Sequence, residues 1–228
     1  MKKLALITGA NGNLGKEVVK KFINDGYYVV GFVHKIKPGK LQSDSYEEIE
    51  LDLLGENLVQ KNIDSIIEKH QKIDVAILTA GGFAMNNIHN SSAQDILDQY
   101  KLNFETAYNV ARPAFINMLG KNYGRIFLIG SKQGLNVLKG KESLAYALSK
   151  SLIFRLAELL NSQAKGKNVV VSVIVPGTID TSENRKSMPD ADFTAWTKSS
   201  KIADVISKYC SSEFDDIREP VIKMFNKS

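Results

Sequence analysis

Two residues four positions apart, Tyr146 and Lys150, are the first candidates for chemistry in this chain of 228 residues. Residues at this spacing share one face of a helix, and no other tyrosine in the sequence has a lysine four positions later. A phenol with an ordinary pKa of about 10 exchanges protons poorly at neutral pH, and a nearby cation lowers that pKa. The two residues are therefore either an ordinary surface pair or a proton donor beside its activating charge.

A serine favours the second interpretation. Ser131 directly follows the apolar run RIFLIG, which predicts a strand, so its hydroxyl is expected near the same sheet edge as the Tyr146 pair. Ser143 is a second candidate for the serine beside this pair, but it lies three residues before Tyr146, where a serine is expected to cap the helix. A capping role remains open for Ser131 as well.

Three glycines near the start of the chain predict a phosphate-binding turn. Gly9, Gly12 and Gly15 lie in TGANGNLG, between an apolar run at residues 4–7 and a helical pattern at residues 14–22. Without side chains, the backbone can approach a pyrophosphate at the positively polarised N-terminus of the helix. A plain connector is the alternative, and the position within a β-α-β unit favours the nucleotide interpretation.

The rest of the chain alternates short apolar runs with helical patterns. Strands are predicted at KLALIT, YYVVGFV, EEIEL, VAILTA, RIFLIG, VVVSVIVP and PVIKMF, and helices at about 57–70, 93–120, 143–164 and 200–210. This alternation predicts an α/β fold of the doubly wound Rossmann type, a parallel sheet of about seven strands with helices on both faces. Ligands then bind beyond the carboxyl ends of the strands. No linker-like stretch interrupts the pattern, so we expect a single domain over residues 1–228.

The composition points away from several other classes of protein. The apolar run at residues 4–7 is shorter than the roughly 7 to 15 residues of an export signal, and no run approaches the roughly 20 residues of a membrane span. Cys210 is the single cysteine, without companions for a disulfide or a metal site. The net charge of +5 is spread among alternating acids and lysines, which indicates a solvated surface and not a nucleic-acid footprint. We expect a cytoplasmic protein without a bound metal.

Taken together, these residues resemble the short-chain dehydrogenase/reductase family over essentially the whole chain. The glycine turn, Asn103, Ser131, the Tyr146/Lys150 pair and the VPGTIDT stretch occur in the order that this family uses. The resemblance implies an NAD(P)H-dependent oxidoreductase, in which Tyr146 protonates the atom being reduced as hydride arrives. The positive charges of Lys150 and of an oxidised nicotinamide would lower the pKa of Tyr146 toward the working range.

The resemblance also implies roles for the other site residues. Ser131 would hydrogen-bond the reacting atom, and Lys150 would bind the nicotinamide ribose. Asn103 would hold a water that links Lys150 to solvent, although a buried amide with its bonds satisfied is the alternative. Asp52 would bind the adenine amine, or serve only as a turn residue. The implied cofactor contacts are Gly9, Asn11, Gly12, Asn13, Leu14, Gly15, His34, Lys35, Asp52, Leu53, Ala80, Gly81, Gly82, Tyr146, Lys150, Pro176, Gly177, Thr178 and Thr181.

Two positions bear on the type of cofactor. Asn13 stands where the commonest pattern of the family has glycine, and the spacing around Gly12 looks like that of the atypical subgroups. The predicted second strand ends in GFVHKIK, with His34, Lys35 and Lys37 and no acid. An acid there would bind the adenine ribose hydroxyls and repel a 2′-phosphate. We therefore expect NADP(H) in preference to NAD(H), with a solvated basic turn that accepts either as the alternative.

Two further stretches bear on the substrate. DTSENRKSMPDADFTAW and AGGFAMNN are similar to dihydropteridine reductases and related bacterial reductases, although those pteridine reductases often lack the serine found here at Ser131. The first stretch predicts a segment at about 178–200 that is mobile in the free protein and closes over a small-molecule substrate, Met188, Phe193 and Trp196 facing it; a mere connector is the alternative. A ketone or ketoacyl carbonyl is the first interpretation, a pteridine the second and a non-catalytic dinucleotide sensor the third.

The helix predicted at 143–164 carries more apolar residues than one buried stripe requires. They are Leu144, Leu148, Leu152, Ile153, Leu156, Leu159 and Leu160. A second apolar face predicts a partner subunit, and the family's usual dimer packs this helix and the one near residues 100–119 against their symmetry mates. We expect a homodimer or a homotetramer.

Overall fold

The computed structural model of the protein describes residues 2–39 and 41–226. Strands and helices alternate along these residues, as the apolar runs predict. The strands are β1 Leu4–Thr8, β2 Tyr28–Val33, β3 Tyr46–Glu50, β4 Val75–Leu78, β5 Tyr123–Ile129, β6 Asn168–Pro176, β7 Ile179–Asp180, β8 Thr197–Lys198 and β9 Val221–Met224. The helices are α1 Asn13–Asn24, α2 Glu56–His70, α3 Ala93–Tyr100, α4 Thr106–Lys121, α5 Lys132–Leu135, α6 Leu144–Gln163, α7 Ser182–Ser187 and α8 Ser199–Lys208.

Seven of the strands form one parallel sheet in the order β3-β2-β1-β4-β5-β6-β9, while β7 and β8 pair separately. From β1 the chain first moves outward to β3, then returns past β1 to β4 and continues in the opposite direction. The predicted doubly wound fold with about seven strands is confirmed. Its topological switch point lies between β1 and β4, where ligands bind in open sheets of this kind.

The core lies in two layers, one on each face of the sheet. Side chains alternate along β1, so that Leu4 and Leu6 face one layer and Ala5 and Ile7 the other. The first layer includes buried residues of α2, α4 and α6, and the second includes buried residues of α1 and α8. This packing fixes α1 and α6, the two helices whose first turns lie at the candidate site.

The helix predicted at 93–120 is not continuous. A π-helical turn, Lys101–Glu105, separates α3 from α4 and contains Asn103. Such turns insert an extra residue into the helical ladder and are frequent at functional sites. No helix within residues 2–39 and 41–226 is long and apolar enough to cross a membrane. Within the same residues, no group of three or more His, Cys, Asp or Glu side chains could hold a metal ion.

Candidate active site

The predicted site residues meet at the carboxyl edge of the sheet. A groove there consists of two adjoining cavities of about 690 and 520 Å³, which share Asn13, Leu14, Thr79 and Gly81 in their walls. The turn after β1 and the loop after β3 line the first cavity, and the ends of β5 and β6 line the second. Eighteen of the predicted cofactor contacts line this groove: Gly9, Asn11, Gly12, Asn13, Leu14, Gly15, His34, Asp52, Leu53, Ala80, Gly81, Gly82, Tyr146, Lys150, Pro176, Gly177, Thr178 and Thr181.

The glycine turn brings backbone atoms unusually close together. Gly9 has φ +61°, a conformation that favours glycine, and its carbonyl oxygen accepts a 2.8 Å hydrogen bond from the Gly12 amide. A Cβ on Gly15 would lie 2.1 Å from that same oxygen, so no other residue fits there. Gly12 offers α1 no side-chain cap, and among the described residues of the first turn none is acidic. The N-terminus of α1 is therefore left polarised toward the groove, as anion binding requires.

The end of the groove formed by the first cavity differs from the predicted contacts at one residue. His34 lines this cavity, whereas Lys35 is exposed and is not among the lining residues. The Lys35 backbone carbonyl accepts a 2.7 Å hydrogen bond from the Asn11 side-chain nitrogen. Asp52 lines the cavity and also accepts a 3.0 Å hydrogen bond from the Leu54 amide, so the turn role is present alongside the predicted one.

An acid at this end is missed by sequence reasoning. Glu50 ends β3, and its carboxylate accepts a 2.9 Å hydrogen bond from the Ile36 amide in the loop that follows β2. The sequence shows no acid at the end of β2 itself. The parallel pairing of Val33 with Glu50 is what brings one beside that loop.

Tyr146 and Lys150 lie on α6 and face the second cavity, with Ser131 beside them. The Lys150 ammonium donates a 2.9 Å hydrogen bond to the Ile129 carbonyl and lies 5.9 Å from the centre of the Tyr146 ring. Burial lowers the pKa of Lys150 to about 8. This lysine can therefore exchange a proton near neutral pH.

Burial raises the pKa of Tyr146, and a hydrogen bond with the Ser131 side chain only partly opposes that effect. The protein's side chains alone therefore do not produce the lowered pKa predicted from Lys150 together with an oxidised nicotinamide, and the effect of the nicotinamide stays a prediction. The Ser131 hydroxyl caps α5 through a 3.0 Å bond from the Gly134 amide, which is the capping role that the sequence left open. Its bond to the reacting atom stays a prediction.

Asn103 is buried in the π-helical turn, and both polar atoms of its side chain are hydrogen-bonded. The side-chain oxygen accepts a 3.0 Å hydrogen bond from the Gly82 amide, and the nitrogen donates to Gln99 at 3.1 Å and to Ser149 at 3.2 Å. The structure thus shows the buried, satisfied amide that the sequence left as an alternative. The long-range bond to Gly82 holds the loop after β4 and lies within the π-helical turn that interrupts the predicted helix.

Close approach around Gly81 connects this amide with Lys150. A Cβ on Gly81, which has φ +157°, would lie 2.7 Å from the Asn103 side-chain oxygen and 3.4 Å from the Lys150 nitrogen. The Asn103 oxygen and the Lys150 nitrogen therefore both lie beside the position that a Gly81 side chain would occupy. A contribution of Asn103 to a proton relay stays a prediction.

Short elements occupy the predicted lid, residues 178–200. β7 pairs with β8, the Thr181 hydroxyl caps α7, and Arg185 forms a two-pronged ion pair with Asp180 at 2.6 and 2.9 Å. Met188 lines the second cavity. Trp196 does not face a substrate as predicted, because it is buried at 7% exposure against Phe193, with ring centres 4.8 Å apart. Lid motion itself stays a prediction.

Two contacts near the cavities cannot be read from spacing. The Asn13 side-chain nitrogen donates a 2.6 Å hydrogen bond to the Glu183 carboxylate of α7, 170 positions away. Phe83 packs edge-on against Tyr146, with ring centres 4.9 Å apart and an angle of 80°. Phe83 lies in AGGFAMNN, a stretch that the sequence singles out without giving its residues individual roles.

Comparison with known proteins gives consistent matches. Residues 3–192 match the family model described as short chain dehydrogenase. The chain is 31% identical over 192 residues to the 3-oxoacyl-(acyl-carrier-protein) reductase of Buchnera aphidicola, covering 81% of this chain and 77% of that protein. It is 28% identical over 216 residues to the dihydropteridine reductase of Dictyostelium discoideum, covering 93% and 89%. The solved structure of ElxO with NADP bound superposes with a TM-score of 0.89 at 21% identity, covering 98% of this chain and 97% of that one. The structural likeness shows a shared fold.

Proposed function

The chain belongs to the short-chain dehydrogenase family and is an NAD(P)-dependent oxidoreductase, and we propose that it reduces a ketone or ketoacyl carbonyl with Tyr146 as the proton donor. The observation that supports this proposal is that Tyr146, Lys150 and Ser131 all line the second cavity. This cavity adjoins the first one, which the glycine turn lines. The third hypothesis, a sensor without catalysis, is set aside, because the chain retains all four predicted catalytic residues, Asn103 among them.

The residues of the groove fit a bound dinucleotide. Gly15 leaves no room for a side chain, Gly9 has the φ of +61° that favours glycine, and the polarised start of α1 suits a pyrophosphate. When bound, the dinucleotide supplies the hydride. The chain's own residues then orient the carbonyl and provide the proton: the Ser131 hydroxyl hydrogen-bonds the carbonyl oxygen, and Tyr146 transfers its proton to that oxygen. The products are an alcohol and the oxidised dinucleotide.

Lys150 supports this proton transfer. Its ammonium, placed within 5.9 Å of the Tyr146 ring and with a pKa of about 8, stabilises the phenolate left after transfer and can return a proton to it. Asn103 is proposed to hold a water that connects Lys150 with solvent.

The test is a substrate panel of ketones, 3-oxoacyl thioesters and quinonoid dihydropterin, with dinucleotide oxidation as the readout. We expect turnover with the ketones or the thioesters. A chain that oxidises dinucleotide only with the dihydropterin has the second activity, which the match to the Dictyostelium reductase over 93% of this chain favours. Turnover with none of these compounds contradicts both assignments.

Preference for NADPH over NADH is the first prediction at this site. His34 lines the first cavity, and Lys35 and Lys37 follow it in the exposed loop after β2, so a 2′-phosphate would meet two lysine charges there against the one negative charge of Glu50. We expect a lower KM for NADPH, and His34→Asp should shift the ratio of the two KM values toward NADH by about tenfold. His89→Asp makes the same change in an exposed loop and should leave the ratio unchanged. A lower KM of the unmodified protein for NADH would contradict the prediction.

A second prediction concerns the lid. A pyrophosphate at the start of α1 would approach the Glu183 carboxylate that Asn13 now holds there. Their like charges should break this bond and move α7, so saturating NADPH should change Trp196 fluorescence and the rate of proteolysis at Arg185 and Lys186.

Replacing Glu183 tests how the negative charge in its contact with Asn13 affects dinucleotide binding. Glu183→Gln keeps the hydrogen-bond acceptor and removes the negative charge, so it should tighten NADPH binding by about two- to fivefold in a direct titration. Glu213→Gln is the matched control on the remote surface, with no change expected. If NADPH alters neither the fluorescence nor the proteolysis, the segment is a static connector.

A third prediction concerns assembly. Ile153 and Leu156 of α6 are buried in the core, while Leu148, Leu152 and Leu159 are exposed at 46, 37 and 63%. α6 thus has the second apolar face that the sequence predicts, and we propose that a second copy of the chain covers it. Sedimentation at micromolar concentration should give the mass of at least two chains, and Leu152→Lys should reduce it to one. A single-chain mass for the unmodified protein contradicts the proposal.

A further inference from the structure

The helix that carries Tyr146 and Lys150 begins without a cap of its own. Ser143 occupies the N-cap position of α6, but among the described residues its hydroxyl accepts no hydrogen bond from the first turn, and that turn contains no acid. The first amides of a helix have no partner within it, so they need acceptors from elsewhere. Tyr146 is the third residue of this turn, and its position depends on how firmly the turn is held.

A residue from the loop after β4 supplies those acceptors. The backbone carbonyl of Asn86 accepts a 2.8 Å hydrogen bond from the Leu144 amide, and its side-chain oxygen accepts a 3.2 Å bond from the Ala145 amide. Asn86 also forms an isolated parallel bridge with Ser143. It therefore caps α6 across 59 positions of sequence, doing what Ser143 does not.

The same loop also reaches the ring of Tyr146. Phe83, three residues before Asn86, packs against that ring edge-on at 4.9 Å. At its start the loop is held by the 3.0 Å bond from the Gly82 amide to Asn103. Tyr146 is thus located from two directions, by Asn86 through the helix backbone and by Phe83 through the ring.

We infer that Asn86 is a positioning residue for proton transfer: by capping α6 it fixes the place of the Tyr146 hydroxyl relative to the carbonyl. The inference rests on the proposed role of Tyr146 as proton donor. Asn86 is not among the described residues that line the two cavities, so it acts through the helix and not by contact with the substrate. Proton transfer needs a donor within about 3 Å, and a misplacement of about 1 Å can cost on the order of a hundredfold in rate.

The experiment compares three variants by steady-state kinetics. Asn86→Ala removes the side-chain acceptor but leaves the carbonyl that holds Leu144, so the fold is retained. We expect kcat to fall about tenfold or more, with the KM for the dinucleotide within about twofold. Asn86→Asp keeps an oxygen acceptor and places a charge that helix N-termini favour, so kcat should recover. Asn90→Ala removes a 2.7 Å bond within the same loop, to the Asn87 amide, and should keep the unmodified kcat.

Hydrogen exchange in the first turn of α6 provides a readout independent of turnover. We expect Asn86→Ala to speed exchange at the Ala145 and Tyr146 amides and Asn86→Asp to restore protection. An unmodified kcat in Asn86→Ala, or a loss that Asn86→Asp fails to restore, overturns the inference. If the unmodified protein reduces no carbonyl in the panel, the proposed function fails by itself. Hydrogen exchange still tests the capping role in that case. If exchange in Asn86→Ala is unchanged, Asn86 does not cap α6.

Discussion

Replacing Tyr146 with phenylalanine is expected to reduce kcat by about a thousandfold or more while leaving dinucleotide binding within about twofold. The variant keeps the aromatic ring that packs against Phe83 at 4.9 Å and loses only the hydroxyl that would give up the proton. Ser131 loses one hydrogen-bond partner but keeps its bond from the Gly134 amide, so α5 remains capped. The measurement is kcat with a reducible carbonyl, paired with a direct titration of NADPH.

A matched control separates loss of the proton donor from general damage. Tyr108→Phe makes the same change on α4, where the side chain is 39% exposed and lies against Phe104. It should leave both kcat and dinucleotide affinity unchanged. Retention of more than about a tenth of the unmodified kcat in Tyr146→Phe would exclude Tyr146 as the proton donor, because loss of general acid catalysis costs about a hundredfold or more. Equal losses of kcat and of binding would indicate a structural effect.

Local patterns are sufficient to predict the sheet and most of the groove. Buried parallel strands appear in sequence as short apolar runs, and their carboxyl ends converge on one edge, so the residues just after β1, β4, β5 and β6 can be grouped without coordinates. Because Tyr146 and Lys150 are four positions apart, they must lie on the same face of a helix. These inferences depend on periodicity and chain direction, which the sequence carries directly.

The features that escape prediction depend on contacts between distant residues. The π-helical turn contains Asn103, whose bond from the Gly82 amide joins residues 21 positions apart, and no helical periodicity reveals either feature. Sequence patterns also miss the bonds from Asn13 to Glu183 and from Ala145 to Asn86. The partners are 170 and 59 positions apart.

Burial causes the remaining differences. The charges of Lys150 and of an oxidised nicotinamide predict a lowered pKa for Tyr146, whereas burial of the phenol raises this pKa in the folded chain. Trp196 is one of the three apolar side chains that the sequence predicts to face a substrate. It is instead buried, with its ring against Phe193. Desolvation depends on what packs around a group, and sequence patterns report that only coarsely.

The second large effect is expected at Gly15, the last glycine of the turn. A Cβ there would lie 2.1 Å from the Gly9 carbonyl oxygen and 2.8 Å from its carbonyl carbon. These neighbours are backbone atoms, so no side-chain rotation can relieve the overlap, and the turn itself has to open. Gly15→Ala should therefore displace the first turn of α1 from the site proposed for the pyrophosphate. We expect dinucleotide affinity to fall by more than about tenfold and stability to fall by about 1–3 kcal/mol.

Two other glycines calibrate this prediction. Gly120 lies in α4 with no atom within 4 Å of the place that a Cβ would occupy, so Gly120→Ala should leave binding unchanged and stabilise the helix by up to about 1 kcal/mol. At Gly12 the nearest contact would be 3.1 Å, to the Gly9 carbonyl oxygen, and Gly12→Ala should have an intermediate effect. Titration of NADPH and thermal unfolding, measured on all three variants, should rank them Gly15, Gly12, Gly120 in order of damage. If Gly15→Ala binds NADPH as tightly as Gly120→Ala does, the turn does not hold the pyrophosphate, and the dinucleotide has to lie elsewhere along the groove.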